Sequence, residues 1–467
     1  MRWIPRGLIA VALALGVVVP GSAPAAGAAT ELIVNGGFAT STANWWGTGN
    51  TPISVDAGQL KAVVPGGTAN KWDAMIGQKA PAFPIKQNHR YLLSFDARVS
   101  APRTLQTTVQ LNTAPYTAPL NKAFAVGTKK QRFAFAFTSS LETTQAEFTI
   151  QLGGLAGGGY TLWLDNVSLL DLHGTPAGNP VALTSGFYVD PQSNPKQWVG
   201  NNPGPKATTI NNALAGKPMA RWFGGWNTNL ADDINLYAGA ADAADKLPVL
   251  VAYNLPGRDA CGGHSSGGAA GEEAYKEWIQ TFAAAIGIRP ALVVLEPDSI
   301  GDFHCIKETK DKEARVRMLA YALQTLKDFA PNTWTYADAT NKGWAEEIGV
   351  PELAARLNSI GVANAHGLAT NVSNYYGTAE TVAFANDLAG RLGKPFIVDT
   401  SRNGNGASTT WCNPTGRKLG ATAQPGGGAE MLLWIKVPGD SDGSCGDSTT
   451  EAGHFDPDLA LKLINNP

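Results

Sequence analysis

Hydrophobic and polar residues alternate with the period of a pleated strand through the first third of the chain. Tyr91, Leu93, Phe95, Ala97 and Val99 fall on one side, as do Phe133, Phe135 and Phe137, then Phe148, Ile150 and Leu152. Turn residues separate these runs and no long helical pattern intervenes, so residues 31–171 are predicted to fold as a β-sandwich of jelly-roll type. After Val181 the period changes. Tyr275, Trp278, Ile279, Phe282 and Ile286 recur at helical spacing over 272–286, with Gly287 as a stop; Val316, Leu319, Leu323 and Leu326 do so over about 311–329, with Pro331 beyond; a third helix is expected over 379–392. Short apolar runs between them mark strands at 187–189, 219–223, 248–253, 291–295, 333–336, 361–365, 396–398 and 431–437. Seven or eight such β/α units within 181–467 predict a barrel of parallel strands. The segment 172–180, with its Gly and Pro residues, reads as a linker too short to be a flexible tether, which keeps the two domains close.

The N-terminus follows another order: Arg2 and Arg6, an apolar stretch from Gly7 to Pro20, then small residues around Ala26–Ala29. That order predicts a secretory signal peptide over 1–29, too short and wrongly flanked for a membrane span, and no later segment is long enough to cross a bilayer. A soluble, secreted, extracellular protein is expected, acting as a monomer. A net charge of −2 without a basic block excludes nucleic acid as a partner class. The 13 tryptophans supply the aromatic faces on which sugar rings stack, although some must fill the core. Four cysteines in an exported chain favour two disulfides, and their wide, irregular spacing argues against zinc. Counting leaves three connectivities; sequential pairing, Cys261 with Cys305 and Cys412 with Cys445, closes the shortest loops and is the expected one.

The candidate chemistry lies at the strand ends. The run 291–295 leads into Glu296-Pro297-Asp298-Ser299, and a carboxylate at the C-terminal end of a barrel strand stands at the mouth where barrels keep their active sites. Arg258-Asp259 follows Tyr253, Asp338 follows the strand at 333–336, Asp399 precedes Thr400-Ser401-Arg402, and Asp440 and Asp442 follow Lys436. Any one of these aspartates could cap a helix or pair with Arg258, Arg402 or Arg417. Five such ends on one face instead suit acid and base work of the kind glycosidic bonds require: an acid to protonate the leaving oxygen and a base to help water. Asp298 is the candidate acid, and Asp338 or Asp259 could keep its proton in place, because adjacent negative charges are costly. Gly263-His264-Ser265-Ser266-Gly267 fits the G-x-S-x-G pattern, but it lies in a loop well past Tyr253 rather than at the sharp strand-to-helix turn that a nucleophilic serine requires.

Phe187-Tyr188-Val189-Asp190-Pro191-Gln192-Ser193, Arg258-Asp259 with Cys261, Glu296-Pro297-Asp298-Ser299, Thr370-Asn371-Val372-Ser373-Asn374-Tyr375, Asp399-Thr400-Ser401-Arg402-Asn403-Gly404, Trp411-Cys412-Asn413-Pro414 and Lys436-Val437-Pro438-Gly439 together resemble glycoside hydrolase family 6, the inverting β-1,4-glucanases and cellobiohydrolases. The likeness runs in order from about Val181 to the C-terminus. Asn35-Gly36-Gly37-Phe38 and Trp163-Leu164-Asp165-Asn166-Val167-Ser168 resemble the two ends of jelly-roll carbohydrate-binding modules of the family 4 and 9 group. The fold implied is a jelly roll followed by a distorted α/β (TIM-like) barrel. Carried over by position, Asp298 would be the proton donor, Asp338 would hold that proton by hydrogen bonding or charge, Asp259 would assist or relay protons, and Asp442 would be the base acting on water. Tyr253 would press on the sugar at the cleavage point, Trp222 and Trp411 would stack on flanking glucose rings, and Lys436, Asp440 and Asn374 would hydrogen-bond hydroxyls. The family's disulfides agree with sequential pairing.

The chain departs from the family in places. Asp440 stands where Glu is frequent, Asn341 stands where many relatives carry His ahead of Trp344, and Ala39 replaces an acidic residue in the module, which weakens a structural calcium there. No other cofactor and no catalytic metal are expected. The expected activity is endo-β-1,4-glucanase on cellulose or related glucans, the endo choice resting on the little room that 181–467 leaves for roofing loops. A cellobiohydrolase and a catalytically silent glucan-binding protein are the alternatives.

Overall fold

The computed structural model describes residues 29–154 and 157–466. The signal-peptide expectation therefore concerns residues that, apart from Ala29, lie outside the described range. No described helix is long and apolar enough to cross a membrane.

Two antiparallel sheets form the N-terminal domain. The first orders Ile53–Asp56, Gln59–Val64, Tyr160–Asp171, Arg90–Val99 and Gln131–Thr138, with Thr30–Glu31 beside Tyr160–Asp171; the second orders Trp45–Gly47, Met75–Ile85, Thr143–Gln151, Arg103–Leu111 and Leu120–Val126. The alternation explains the sandwich: Tyr91, Leu93, Phe95, Ala97 and Val99 turn inward and meet Phe148, Ile150, Leu162 and Leu164 in one core.

The outward face of the first sheet does not meet solvent throughout. Leu92 and Ala134 project from it into an apolar cluster that also contains Ala231, Phe282, Ile286 and Leu326 of the second domain, and Leu172 joins the same cluster. Ion pairs rim this contact, Arg90 with Asp328 and Lys122 with Glu277 (3.1 Å), and Asp232 accepts the Arg132 N–H at 3.0 Å. The two domains are thus packed together rather than strung on a tether. Removing 31–171 is expected to lower the melting temperature of the remaining barrel as well as its affinity for insoluble glucan, because apolar helix faces would be returned to water. A truncated chain melting at the full-length temperature would show that the packing is energetically idle.

Among the described residues, the second domain has seven parallel strands paired in chain order, Arg221–Phe223, Val249–Ala252, Ala291–Leu295, Thr333–Asp338, Gly367–Thr370, Phe396–Asp399 and Met431–Leu433, with Gln424–Pro425 antiparallel at the final edge. Covered on both faces, these strands read as apolar runs. Val251, Leu292, Val294, Tyr336 and Ile397 fill the barrel, while Leu250, Val293, Leu295 and Val398 meet the helices. First and last strands approach through Ala220 N–H to Trp434 O (2.9 Å) and Trp222 Nε1 to Ile435 O (2.8 Å), so the barrel is distorted rather than evenly closed.

Three expected strands differ from the structure. Residues 187–189 make only an isolated bridge, Phe187 with Leu247. Residues 361–365 form a 3₁₀ turn, Val362–Asn364, held by Lys394 Nζ on the Ala363 and Ala365 carbonyls (3.0 and 2.5 Å), and the strand begins at Gly367. The run 431–437 leaves the sheet after Leu433, because the N–H groups of Ile435 and Lys436 turn to the Asp399 carboxylate (3.2 and 2.9 Å). The three expected helices are Glu272–Ile286, Thr309–Phe329 and Thr378–Leu392; among the described residues Asn194–Asn201, Pro205–Ile210, Leu230–Ala243, Lys342–Ile348, Val350–Ser359 and Pro457–Asn465 add to them. Both disulfides pair sequentially, Cys261 with Cys305 and Cys412 with Cys445.

Candidate active site

The strand Ala291–Leu295 delivers two carboxylates in opposite senses. Glu296 (φ 51°) and Asp298 (φ 71°) both take the left-handed conformation that L-residues rarely adopt, flanking Pro297. Glu296 turns inward, fully buried, and accepts the N–H groups of Asn254 and Leu255 at 3.0 Å, clamping the ends of two adjacent strands; burial pushes its carboxyl up to about 7 despite these bonds. That clamp holds the turn whose next carboxylate, Asp298, faces a cleft of about 1280 Å³ across the strand ends.

Around Asp298 the charges are predominantly negative. Burial raises its carboxyl to about 7, Asp302 and Asp259 add to the rise, Lys436 opposes it, and Asp442 adds a smaller contribution. A carboxylic acid near 7 keeps its proton in neutral water often enough to donate it. Asp338, last residue of its strand, is 2% exposed and does not line the cleft. Its carboxyl lies well above the usual range, through burial first and then the charge of Asp298, and it accepts N–H groups from Thr340 (3.3 Å) and from Asp298 itself. Asp338 therefore reaches Asp298 through the backbone and through charge. Asp259 (φ 55°) lines the cleft in the loop after Tyr253, where its two oxygens accept the N–H groups of Gly262 (3.1 Å) and Ser265 (2.6 Å). Ser265, centre of the G-x-S-x-G match, thus serves that loop and follows no strand directly.

Asp442 has the opposite electrostatics. Burial would raise its carboxyl, but Arg402 and Lys436 outweigh burial and hold it below the usual range. Arg402 Nη1 reaches both oxygens (2.9 and 2.8 Å), Tyr375 O–H (3.0 Å) and the Asn413 N–H (3.2 Å) donate to Oδ2, and Lys436 Nζ stands 3.4 Å from Oδ1. One cleft therefore holds an acid that retains its proton and an anion that does not. Of the strand-end aspartates, Asp399 stands apart: fully buried, it accepts four backbone N–H groups, from Ser373, Ser401, Ile435 and Lys436 (2.9–3.2 Å), and ties three strand ends together.

The residues expected to touch sugar line the same cleft: Tyr253, Trp222, Trp411, Lys436, Asp440 and Asn374. Trp222 meets Tyr253 edge-on at 5.3 Å, and Trp411, 38% exposed, is held by its Nε1 on Ser373 O (3.1 Å). Asp440 Oδ2 accepts from Asn194 Nδ2 (2.8 Å), whereas its Oδ1 is buried with no hydrogen-bond partner among the described residues; burial pushes this carboxyl up to about 7. Asn341 Oδ1 accepts the Trp344 N–H (3.2 Å) and so caps the helix Lys342–Ile348, and Trp344 lies against Gly301 on the cleft wall. Sequence reading passed over Trp226, half-exposed in the cleft with the Arg258 guanidinium 5.3 Å from its ring, and over Asn194.

In the N-terminal domain, strand register places Trp46, Gly77, Thr149, Thr108 and Asn121 in one row on the outward face of the second sheet. The neighbouring pair Glu147 and Gln110 (3.0 Å) extends this polar strip. Neither the Ala39 position nor the surroundings of Asp165 favour a calcium ion: Ala39 offers no side-chain oxygen, and the Asp96 and Asp165 carboxylates already face protein cations, Lys130 Nζ at 3.3 and 3.2 Å and Arg132 on Asp96.

Residues 184–467 match the sequence model of glycosyl hydrolases family 6, and residues 30–159 that of a carbohydrate binding domain. The chain is 52% identical over 296 residues to Endoglucanase 1 of Streptomyces halstedii, covering 62% of this chain and 91% of that protein. It is 38% identical to Endoglucanase A of Thermobispora bispora, covering 62% of this chain and 64% of the other, less than two thirds of that relative's length. Among solved structures, the endoglucanase Cel6 from Mycobacterium tuberculosis, in complex with a thio-linked methyl cellobiosyl cellobioside, superposes with a TM-score of 0.56 at 36% identity, over 62% of this chain and 99% of that one.

Proposed function

This chain belongs to glycosyl hydrolases family 6, and from that premise we propose that it is a secreted endo-β-1,4-glucanase, cutting internal bonds of cellulose or related β-glucans with inversion. The observation that carries the reading is the pairing in one cleft of Asp298, raised to about 7, with Asp442, held anionic by Arg402 and Lys436. The endoglucanase relatives and the match of residues 30–159 to a carbohydrate binding domain support a β-glucan as substrate and as the module's ligand. The leader pattern and two disulfides support export. The site is complete within one chain, which supports a monomer.

In this reading Asp298 protonates the glycosidic oxygen as the bond to the anomeric carbon breaks, and water adds to that carbon from the opposite face, losing its proton toward Asp442. Asp338 keeps the acid protonated, and Asp259 relays protons beside it. Tyr253 presses on the sugar at the cleavage point, Trp222 and Trp411 stack on flanking rings, and Lys436, Asp440 and Asn374 hold hydroxyls. Following the anomer by NMR in the first minutes should show inversion; release of the substrate's own anomer would refute it. On carboxymethyl cellulose, viscosity should collapse well before reducing ends accumulate.

A processive cellobiohydrolase is the second reading, favoured by one contact: His264, from the loop after the second strand, reaches the Trp411 ring at 5.7 Å, so two disulfide-tied loops meet beside the cleft. Slow viscosity loss with steady release of a short product would choose it.

The pH profile follows from the same charges. Turnover needs Asp298 protonated, so kcat should fall as pH rises through about 7, while the lowered carboxyl of Asp442 keeps the base competent into the acid range. Because the carboxyls titrate together, the basic limb belongs to the cluster rather than to one residue. A rate still rising above pH 8 would contradict the acid assignment.

A further inference from the structure

Behind the acid turn lies a buried ion pair that none of the roles above employs. Asp302, in the 3₁₀ turn Gly301–Cys305, and Arg315, in the helix Thr309–Phe329, are 1% and 2% exposed. Arg315 Nη1 donates to Asp302 Oδ1 and to the Ser299 carbonyl (3.3 Å), and its Nη2 donates to the Gly257 carbonyl (2.9 Å). Asp302 Oδ2 accepts the Ala260 N–H (2.8 Å), and the Asp302 N–H donates to the Asp298 carbonyl (3.0 Å). Ala260 adjoins Asp259 and Ser299 adjoins Asp298, so the pair grips the backbone beside both cleft carboxylates. The Cys261–Cys305 disulfide joins the same two segments on the far side.

We propose that Asp302 and Arg315 are positioning residues, which lock the Asp259 loop to the Asp298 turn and keep a negative charge fixed beside the acid. Buried ion pairs add little net stability over apolar packing, so the presence of this one behind the acid fits a role in placement. The guanidinium suits the task because its fork reaches three acceptors at once, two carbonyls and a carboxylate, on the two segments to be joined. Asp302 also stands second only to burial among the influences that raise the Asp298 carboxyl.

The inference rests on Asp298 being the proton donor, and the test separates the two. The charged and titratable groups facing the acid are Asp259 and Tyr253 from the loop after the second strand, Asp338 from the fourth, and Lys436 and Asp442 from the last, with Asp302 on its own turn. Facing Asp302 are Arg315, Asp259, Asp298 and Asp338, while Arg356 packs on the same turn through the Ile300 carbonyl (3.1 Å). With a soluble cello-oligosaccharide and the full chain, Asp302→Asn should move the basic limb of kcat to lower pH by roughly half a unit or more and lower kcat by about 10- to 100-fold, with KM little changed. A Asp302→Asn enzyme whose limb stays at the wild-type pH overturns the proposal, since a merely structural loss lowers amplitude without moving the limb. Should that variant fail to fold, the neutral pair Asp302→Asn with Arg315→Gln must show a smaller shift in the same downward direction, because no stranded guanidinium adds to it, and an unmoved limb there overturns it equally. Wild-type turnover in Asp298→Asn would instead sink the acid assignment itself.

Discussion

Asp298→Asn should abolish nearly all hydrolysis, lowering kcat by roughly 10²- to 10⁴-fold, the usual contribution of a positioned general acid, while polysaccharide binding and the melting temperature stay near wild type. The substitution isolates the proton because it leaves the backbone alone. Asp298 sits at φ 71°, a conformation that asparagine tolerates better than other non-glycine residues, so the turn after Pro297 should keep its shape. Alanine there would add backbone strain to the chemical loss and blur the result. The carboxamide fills the same space beside the Asp338 and Asp302 carboxyls but has no proton to give the leaving oxygen. Reducing-end release from a soluble oligosaccharide measures the loss, and pull-down on insoluble cellulose measures what remains. Unchanged turnover would remove Asp298 from the mechanism.

The acid was legible because its strand advertises it: five buried apolar residues ending in Glu-Pro-Asp can be placed in a barrel from sequence alone. Asp259 and Asp442 were legible by position after other strands. What the sequence conceals is direction. Glu296, Asp298, Asp338 and Asp399 all stand at or just beyond strand ends, yet Glu296 and Asp399 turn inward to bind backbone N–H groups, Asp338 is buried behind the acid, and only Asp298 faces the cleft. Asp338 and Asp399 are both the last residues of their strands, and Glu296 and Asp298 both take positive φ, yet the members of each pair turn differently, so neither strand position nor residue type announces the direction. The same limit misplaced the strand at 361–365, where Lys394 captures two carbonyls that the apolar pattern assigned to the sheet. Arg315 was passed over for another reason: it falls on the buried stripe of its helix, with Met318, Leu319, Ala322 and Leu326, so a charge there signals a buried partner, but the partner lies on distant loops that helical spacing does not name.

Asp442→Asn should cost both activity and stability, and separating the two tests whether this residue is the base. In the folded protein its carboxylate is depressed below the ordinary aspartate range, so it contributes stability that is present above that range and is lost as pH falls through the lowered value. Neutralising it leaves Arg402, 1% exposed, and Lys436 beside it without their counter-charge. Breaking one side of a buried pair typically costs about 3–5 kcal/mol, a large part of the roughly 5–15 kcal/mol that holds a domain together, so a clear fall in melting temperature is expected. Adding Arg402→Gln removes most of the stranded charge and should recover much of that stability. Turnover should not return with it, because a carboxamide at 442 still cannot take a proton from water. Oδ2 is already committed to Arg402, Tyr375 and Asn413, so water must be met at Oδ1, which only Arg402 and Lys436 touch. If the double variant regained wild-type kcat together with its melting temperature, Asp442 would be a structural anion, and the base would have to be sought among the other carboxylates that line the cleft, Asp259 first among them.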